Sequence, residues 1–187
     1  MNEIELGKRF AKGGEPELEE VISVFGEKLL RYATSILRNY HDAEDAVQQV
    51  FIMAYQNRSR FDGGNISAWL YKITYNHSIS QLKKRKLLFF GDLGNIREES
   101  VNPFDDTDSS DEILHILGML KAQDRALLYG RIMDGQSYEE LSQILGKSPA
   151  ALRKQYERAK NKLAEYLSTE KGFLERSKKN EYRYEQV

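Results

Sequence analysis

Three prolines interrupt this chain of 187 residues, Pro16, Pro103 and Pro149, and each stands at the edge of a segment. Glu17 to Asn102 and Phe104 to Ser148 are therefore free of the strongest helix breaker. Apolar residues recur there at helical spacing: Leu29, Ala33, Ile36 and Leu37; Ala43, Val47, Val50 and Ala54. The same spacing returns in Tyr156, Ala159, Leu163 and Leu167. No comparable stretch alternates with period two, and no internal repeat suggests a solenoid. The expectation is an all-α protein.

Apolar residues make up 40% of the chain and charged residues 30%, which places it among soluble globular proteins. No cysteine is present, so disulfide scaffolds, thiolate zinc sites, iron–sulfur clusters and Cys nucleophiles are excluded together. A reducing cytoplasm is compatible with this. The stretch from Met1 to Phe10 lacks the apolar run of a signal peptide, and Val50 to Tyr55 is too short to cross a bilayer. The expected location is the cytoplasm, with no membrane insertion.

The near-neutral total hides a division of charge along the chain. Met1 to Phe90 carries 13 bases and 11 acids, Gly91 to Glu112 carries 1 and 8, Ile113 to Leu167 carries 9 and 6, and Ser168 to Val187 carries 5 and 4. The acidic piece, with Asp105, Asp106, Asp108 and Asp111 beside Gly91, Gly94 and Pro103, has little periodic apolar content. It reads as a flexible acidic linker at 91–112 between two small helical domains, 1–90 and 113–167, with a charged tail at 168–187.

Ser137-Tyr138-Glu139-Glu140 has the form of a capping box, after which Leu141, Ile144 and Leu145 share one helical face and Gly146 suits a left-handed terminator. Ser148-Pro149 then restarts the chain as N-cap and first helical residue. The pattern spells helix, tight turn, helix over Ser137 to Leu163. Leu152, Tyr156, Ala159 and Leu163 of the second helix face a core, leaving Arg153, Lys154, Glu157, Arg158 and Lys160 outward. Such a basic face fits a major groove, where Arg and Lys read guanine edges or grip phosphate. An ordinary helical hairpin with a solvated basic face has the same local pattern.

In the first half, the helix after His41 presents Asp45, Gln48, Gln49 and Ile52 beside its apolar stripe, an acidic and amide-rich side compatible with protein docking or with solubility alone. Asp62-Gly63-Gly64-Asn65 is a break. From about Ser67 a helix carries Trp69, Leu70, Tyr71, Ile73, Tyr75, Asn76 and Ile79 and ends in Lys83-Lys84-Arg85-Lys86. Aromatics beside a basic cluster suit unpaired bases, although Trp69 and Ile73 also sit at core spacing.

Catalytic chemistry has no foothold. His41, His77 and His115 are scattered outside any metal-ligand spacing, and no Walker loop, GxGxxG or nucleophile elbow occurs. No cofactor is expected.

Taken in order, the motifs resemble the extracytoplasmic-function sigma factors of bacterial RNA polymerase, which keep conserved regions 2 and 4. Asp42-Ala43-Glu44-Asp45 with Gln48, Phe51 and Ala54-Tyr55 resembles the region 2 helix that docks on the clamp helices of the polymerase. Arg60-Phe61-Asp62 with Ala68 through Ile73 and Asn76 resembles the segment that opens and reads the −10 element. Leu120 and Arg125, followed by Gly135 through Leu141 and Arg158-Ala159-Lys160, resemble region 4, which binds the −35 element. The likeness covers about residues 20 to 86 and 113 to 167.

That resemblance implies polymerase docking through Asp42, Asp45, Gln48, Gln49 and Phe51. It implies −10 contacts through Lys72, Asn76, Ser80, Lys83 and Lys84, and −35 contacts through Arg153, Lys154, Glu157 and Arg158. It also implies core RNA polymerase, promoter DNA and an anti-sigma factor as partners, and no enzymatic activity. Ser80 stands where Asp is common in the family, Gln81 and Lys83 where Arg is common, Lys121 where Pro is common, and Gln155 where Arg is common. A guanidinium missing at position 155 would be a missing bidentate phosphate or base partner. A helix-turn-helix regulator acting without polymerase, and an adaptor acting only on proteins, remain the competing readings.

Overall fold

The computed structural model describes residues 2–90 and 118–184, with side chains described through 88 and from 118 to 168. The acidic segment 91–112, His115 and residues 185–187 lie outside it. Among the described residues there are helices and no strand. They are α1 (Glu3–Lys12), α2 (Glu15–Leu37), α3 (Tyr40–Gln56), a 3-10 turn (Arg58–Arg60), α4 (Ile66–Phe90), α5 (Ala122–Ile132), α6 (Tyr138–Leu145) and α7 (Pro149–Tyr184).

Short polar residues start most of these helices. Asn2, Asn39 and Asn65 each accept a backbone N–H of the first turn they precede, from Ile4, Asp42 and Ala68 respectively. Arg38, at φ 59°, turns α2 into α3 in the left-handed region where a glycine would be expected. Asp62 holds the break before α4 by accepting from the Gly64 N–H at 2.9 Å, and Gly63 takes φ 78° beside it.

α2 is the hub of the molecule and packs against α1, α3, α4 and α5. Its Phe25, Leu29, Tyr32, Ala33 and Ile36 are fully buried, meeting Ala43, Val50 and Ala54 of α3 and Leu70 of α4. Each large apolar side chain so enclosed contributes about 1.5–3 kcal/mol.

α1 was not legible in the periodicity, yet its Leu6 and Phe10 are fully buried. A Cβ at Gly7 would come within 3.0 Å of the Phe61 ring, so the missing side chain is what lets α1 lie down. Trp69 packs its ring on Phe61 at 5.0 Å and on Phe10 at 6.3 Å, a packing role rather than a free stacking platform. Arg58 ties the turn to both neighbours, donating to the Gly13 and Tyr55 carbonyls at 2.8 and 2.7 Å.

The two halves share one core. Buried residues of α5, α6 and α7 join the cluster built on α2 to α4, among them Leu127, Leu141, Ile144 and Leu152. α2 packs on α5, and α4 packs on α6. α7 runs on as helix through the segment read as a tail, to Tyr184.

Phe10→Ala should lower stability by about 3–5 kcal/mol, the range for emptying a phenylalanine site in a packed core. Urea denaturation followed by circular dichroism measures it; a loss below 1 kcal/mol would mean that α1 is not part of the core.

Candidate functional site

Three exposed polar faces and one buried seam concentrate the chemistry. The first face belongs to the helix-turn-helix. Ser137 Oγ accepts from the Glu140 N–H at 3.1 Å while the Glu140 carboxylate accepts from the Ser137 N–H at 2.8 Å, the reciprocal box read from the sequence. Gly146 ends α6 at φ 67°, and the Ser148 hydroxyl accepts from the Ala151 N–H at 3.3 Å to begin α7. Leu141, Ile144, Leu145 and Leu152 are buried and lock the two helices together.

Arg153, Lys154, Glu157 and Arg158 consequently point outward, all exposed, and border one shallow concavity. Arg153 lies over the Tyr138 ring at 5.1 Å and 3.5 Å from Glu139, so α6 steadies its guanidinium. Position 155 differs from the sequence expectation. Gln155 faces α5, where its Nε2 donates to Asp124 at 2.7 Å, so the position makes an internal bridge rather than an outward contact.

The second face runs along α4. Lys72, Asn76, Ser80, Lys83 and Lys84 are all exposed and recur at three- and four-residue intervals on one stripe. The opposite stripe, Tyr71, Thr74, Tyr75 and Ser78, is buried, with the Thr74 hydroxyl donating back to Leu70 O at 2.9 Å. His77 lies between the stripes, and burial followed by the Lys84 charge lowers its pKa, favouring the neutral ring.

The third face is on α3. Asp45, Gln48, Gln49 and Ile52 are exposed side by side. Asp42 is engaged instead by Arg85 of α4, whose guanidinium donates to both carboxylate oxygens. Phe51 turns inward at 7% exposure and joins the core, so it supports this face from beneath and does not present a ring to a partner.

Sequence reasoning missed the seam. The Tyr71 hydroxyl donates to Asp134 across it at 3.0 Å, and the Tyr32 and Tyr129 rings meet at 6.0 Å. Arg125, only 6% exposed, donates to the Leu120 carbonyl at 2.6 Å and to the Ile36 carbonyl in the last turn of α2. Burial pushes the Tyr71 phenol far up and that of Tyr129 up to about 12, with the Asp134 charge adding to both. The signal available beforehand was Tyr71 and Tyr75 at helical core spacing, which identifies interior positions without saying which half covers them.

A family model described as Sigma-70 region 2 matches residues 21–87, and one described as Sigma-70, region 4 matches residues 110–163. The chain belongs to the extracytoplasmic-function RNA polymerase sigma factors. It is 26% identical over 160 residues to the ECF RNA polymerase sigma factor SigE of Mycolicibacterium smegmatis, covering 82% of this chain and 62% of that protein. It is 34% identical over 80 residues to SigW of Bacillus subtilis, covering 42% and 43%. The chain thus spans less than two thirds of the length of these two relatives. With the sigma factor CarQ of Myxococcus xanthus the match is 27% over 167 residues, 86% of this chain and 94% of that one.

Two solved structures share the fold. CnrH, in complex with the cytosolic domain of CnrY, superposes with TM-score 0.71 at 22% identity over 89% of this chain and 97% of its own. RpoE of Bartonella quintana, in complex with the anti-sigma factor NepR, superposes with TM-score 0.68 at 27% identity over 80% and 96%.

Burial raises the Asp134 pKa, opposed by the Tyr71 hydroxyl and by Lys28 and Arg31. A carboxyl whose folded-state pKa lies above its unfolded value stabilises the closed form fully below the unfolded pKa, and that contribution is lost as pH rises through the folded one. Asp134→Asn should therefore gain thermal stability over the wild type progressively from acidic to neutral pH. A constant difference in melting temperature across that window would contradict the assignment.

Proposed function

We propose that this chain is a promoter-recognition subunit that binds core RNA polymerase and directs it to promoters. The observation that carries this reading is the placement of three separate exposed faces on one helical frame, in a chain that belongs to the extracytoplasmic-function sigma factors. The α3 face, with Asp42, Asp45, Gln48 and Gln49, would dock on the polymerase clamp, with Phe51 packed beneath it. Lys72, Asn76, Ser80, Lys83 and Lys84 along α4 would meet the −10 element as it opens, where unpaired bases and phosphates are both accessible. Arg153, Lys154, Glu157 and Arg158 would read the −35 element in the major groove. The two reading units are residues 1–90 and 113–167, with 91–112 as tether.

The protein works without catalytic residues or cofactor of its own, in the cytoplasm where the polymerase is found. No helix among the described residues is long and apolar enough to cross a membrane. An anti-sigma factor is a further partner, as NepR is of the sigma factor RpoE in the Bartonella quintana complex.

The closed seam sets a condition on this function. The −10 and −35 elements are named for positions that lie on the order of 85 Å apart along a B-form axis at 3.4 Å per base pair. A compact chain of this length has a radius of gyration of about 16 Å. The closed molecule is too small to hold both elements at once, so the Tyr71–Asp134 and Arg125–Ile36 bonds must break on promoter engagement. Extended, residues 91–112 reach at most about 75 Å, enough for the halves to separate substantially. Held by one polymerase, two weak readers act at high effective concentration, so neither needs tight binding alone.

Run-off transcription with core polymerase, on promoters mapped by start-site sequencing after overexpression, tests the reading. Start-site selection should depend on the protein, and Arg153→Glu with Arg158→Glu should reduce it at least tenfold while core binding persists. Equal occupancy of the same sites without polymerase would assign the protein instead to the conventional helix-turn-helix regulators, and unchanged promoter use would favour a protein-only adaptor.

A further inference from the structure

We propose that Lys147, in the turn between α6 and α7, grips a DNA phosphate beside the −35 face and that Gln155 is its positioning residue; this rests on the DNA-reading role of α7 proposed above. The Lys147 ammonium donates to Gln155 Oε1 at 2.7 Å and lies 3.4 Å from Gln123 Oε1. Both acceptors are neutral amides, and among the described residues no ion pair includes Lys147.

The amide of Gln155 has only one orientation that satisfies its neighbours. Asp124 can only accept, so it takes the Nε2 hydrogen at 2.7 Å, which turns Oε1 toward an ammonium that can only donate. The lysine is thereby held at the start of α7 without a charge partner. That is an unfavourable place for a cation, because a helix N-terminus carries partial positive charge. The two amide oxygens hold the ammonium in place but do not neutralise its charge.

Both the cation and the helix end favour an anion. In a docked helix-turn-helix the first helix crosses the DNA backbone and the second enters the groove, which brings the turn between them close to phosphates. Lys147, Ala151 and Gln155 follow one another at four-residue intervals, with exposed Lys154 and Arg158 alongside. The ammonium has three donors and two amide oxygens engage it, leaving one for a phosphate oxygen. Arginine at position 155 would pair with Asp124, so the outward cation is supplied from the turn, and Gln155 aims it.

The test is the salt dependence of holoenzyme binding to a duplex carrying a mapped promoter, using the full chain with core polymerase. For Lys147→Gln the slope of log K against log salt should shrink by about 0.9, the value for one phosphate contact on B-form DNA. Lys147→Arg should restore it. Gln155→Leu keeps the cation but frees it, so affinity should fall about threefold with much of the slope retained. Arg153→Glu is the control for the DNA reading itself, and melting curves confirm that each variant folds. If Arg153→Glu abolishes promoter binding while Lys147→Gln keeps the wild-type slope, the phosphate assignment is overturned and the DNA reading stands. If both bind like wild type, the DNA reading fails and takes this inference with it.

Discussion

A buried guanidinium joins the two halves of this molecule. Arg125 lies between the Leu120 carbonyl of its own half and the Ile36 carbonyl in the last turn of α2. Removing a cation from water is costly unless acceptors replace the lost hydration. Here the acceptors are carbonyls, one of them at a helix C-terminus whose partial negative charge suits a cation. Around it the rings of Tyr32, Tyr71 and Tyr129 close an apolar layer, and the Tyr71–Asp134 bond seals the neighbouring edge. The arrangement is specific because Arg125 and Asp134 each find a hydrogen-bond partner on the other half.

That seam organises the surfaces as well as the core. With the inner stripe of α4 committed to α2 and α6, the stripe from Lys72 to Lys84 is left for solvent and for ligands, together with the exposed end of the helix from Arg85 to Leu88. With Leu152 and Ala159 of α7 turned inward, the helix presents Arg153, Lys154, Glu157 and Arg158 on its outer side, with Lys160 beyond them. Both sets stay exposed in the closed form. What closure restricts is their separation, so control by closure acts on geometry more than on access. Separation of the halves, as the proposed function requires, would uncover apolar residues that now share one core, among them Leu127 and Leu141.

Much of the local structure is legible in the sequence. The Ser137 box, the Gly146 turn and the Ser148-Pro149 restart depend on interactions within three or four residues, so composition at those positions was sufficient. The outward set on α7 followed from helical period alone. α1 was not legible because only Leu6 and Phe10 of its face are large and buried, and what admits it is an absence, the side chain that Gly7 lacks. The inward turn of Phe51 and the Gln155–Asp124 bond were not legible for a related reason: a motif position names a residue type without saying whether the helix turns it toward a neighbour or toward solvent.

The sequence by itself determined the helices, their caps and the division of charge, because these arise from near-neighbour hydrogen bonds and from the spacing of apolar residues. Only the tertiary structure decided that the two halves close on one another through Arg125 and Asp134, and that Gln155 and Gln123 hold the Lys147 ammonium beside the start of α7. Those contacts join residues up to 89 positions apart along the chain, and no local pattern encodes which distant surface a side chain will meet.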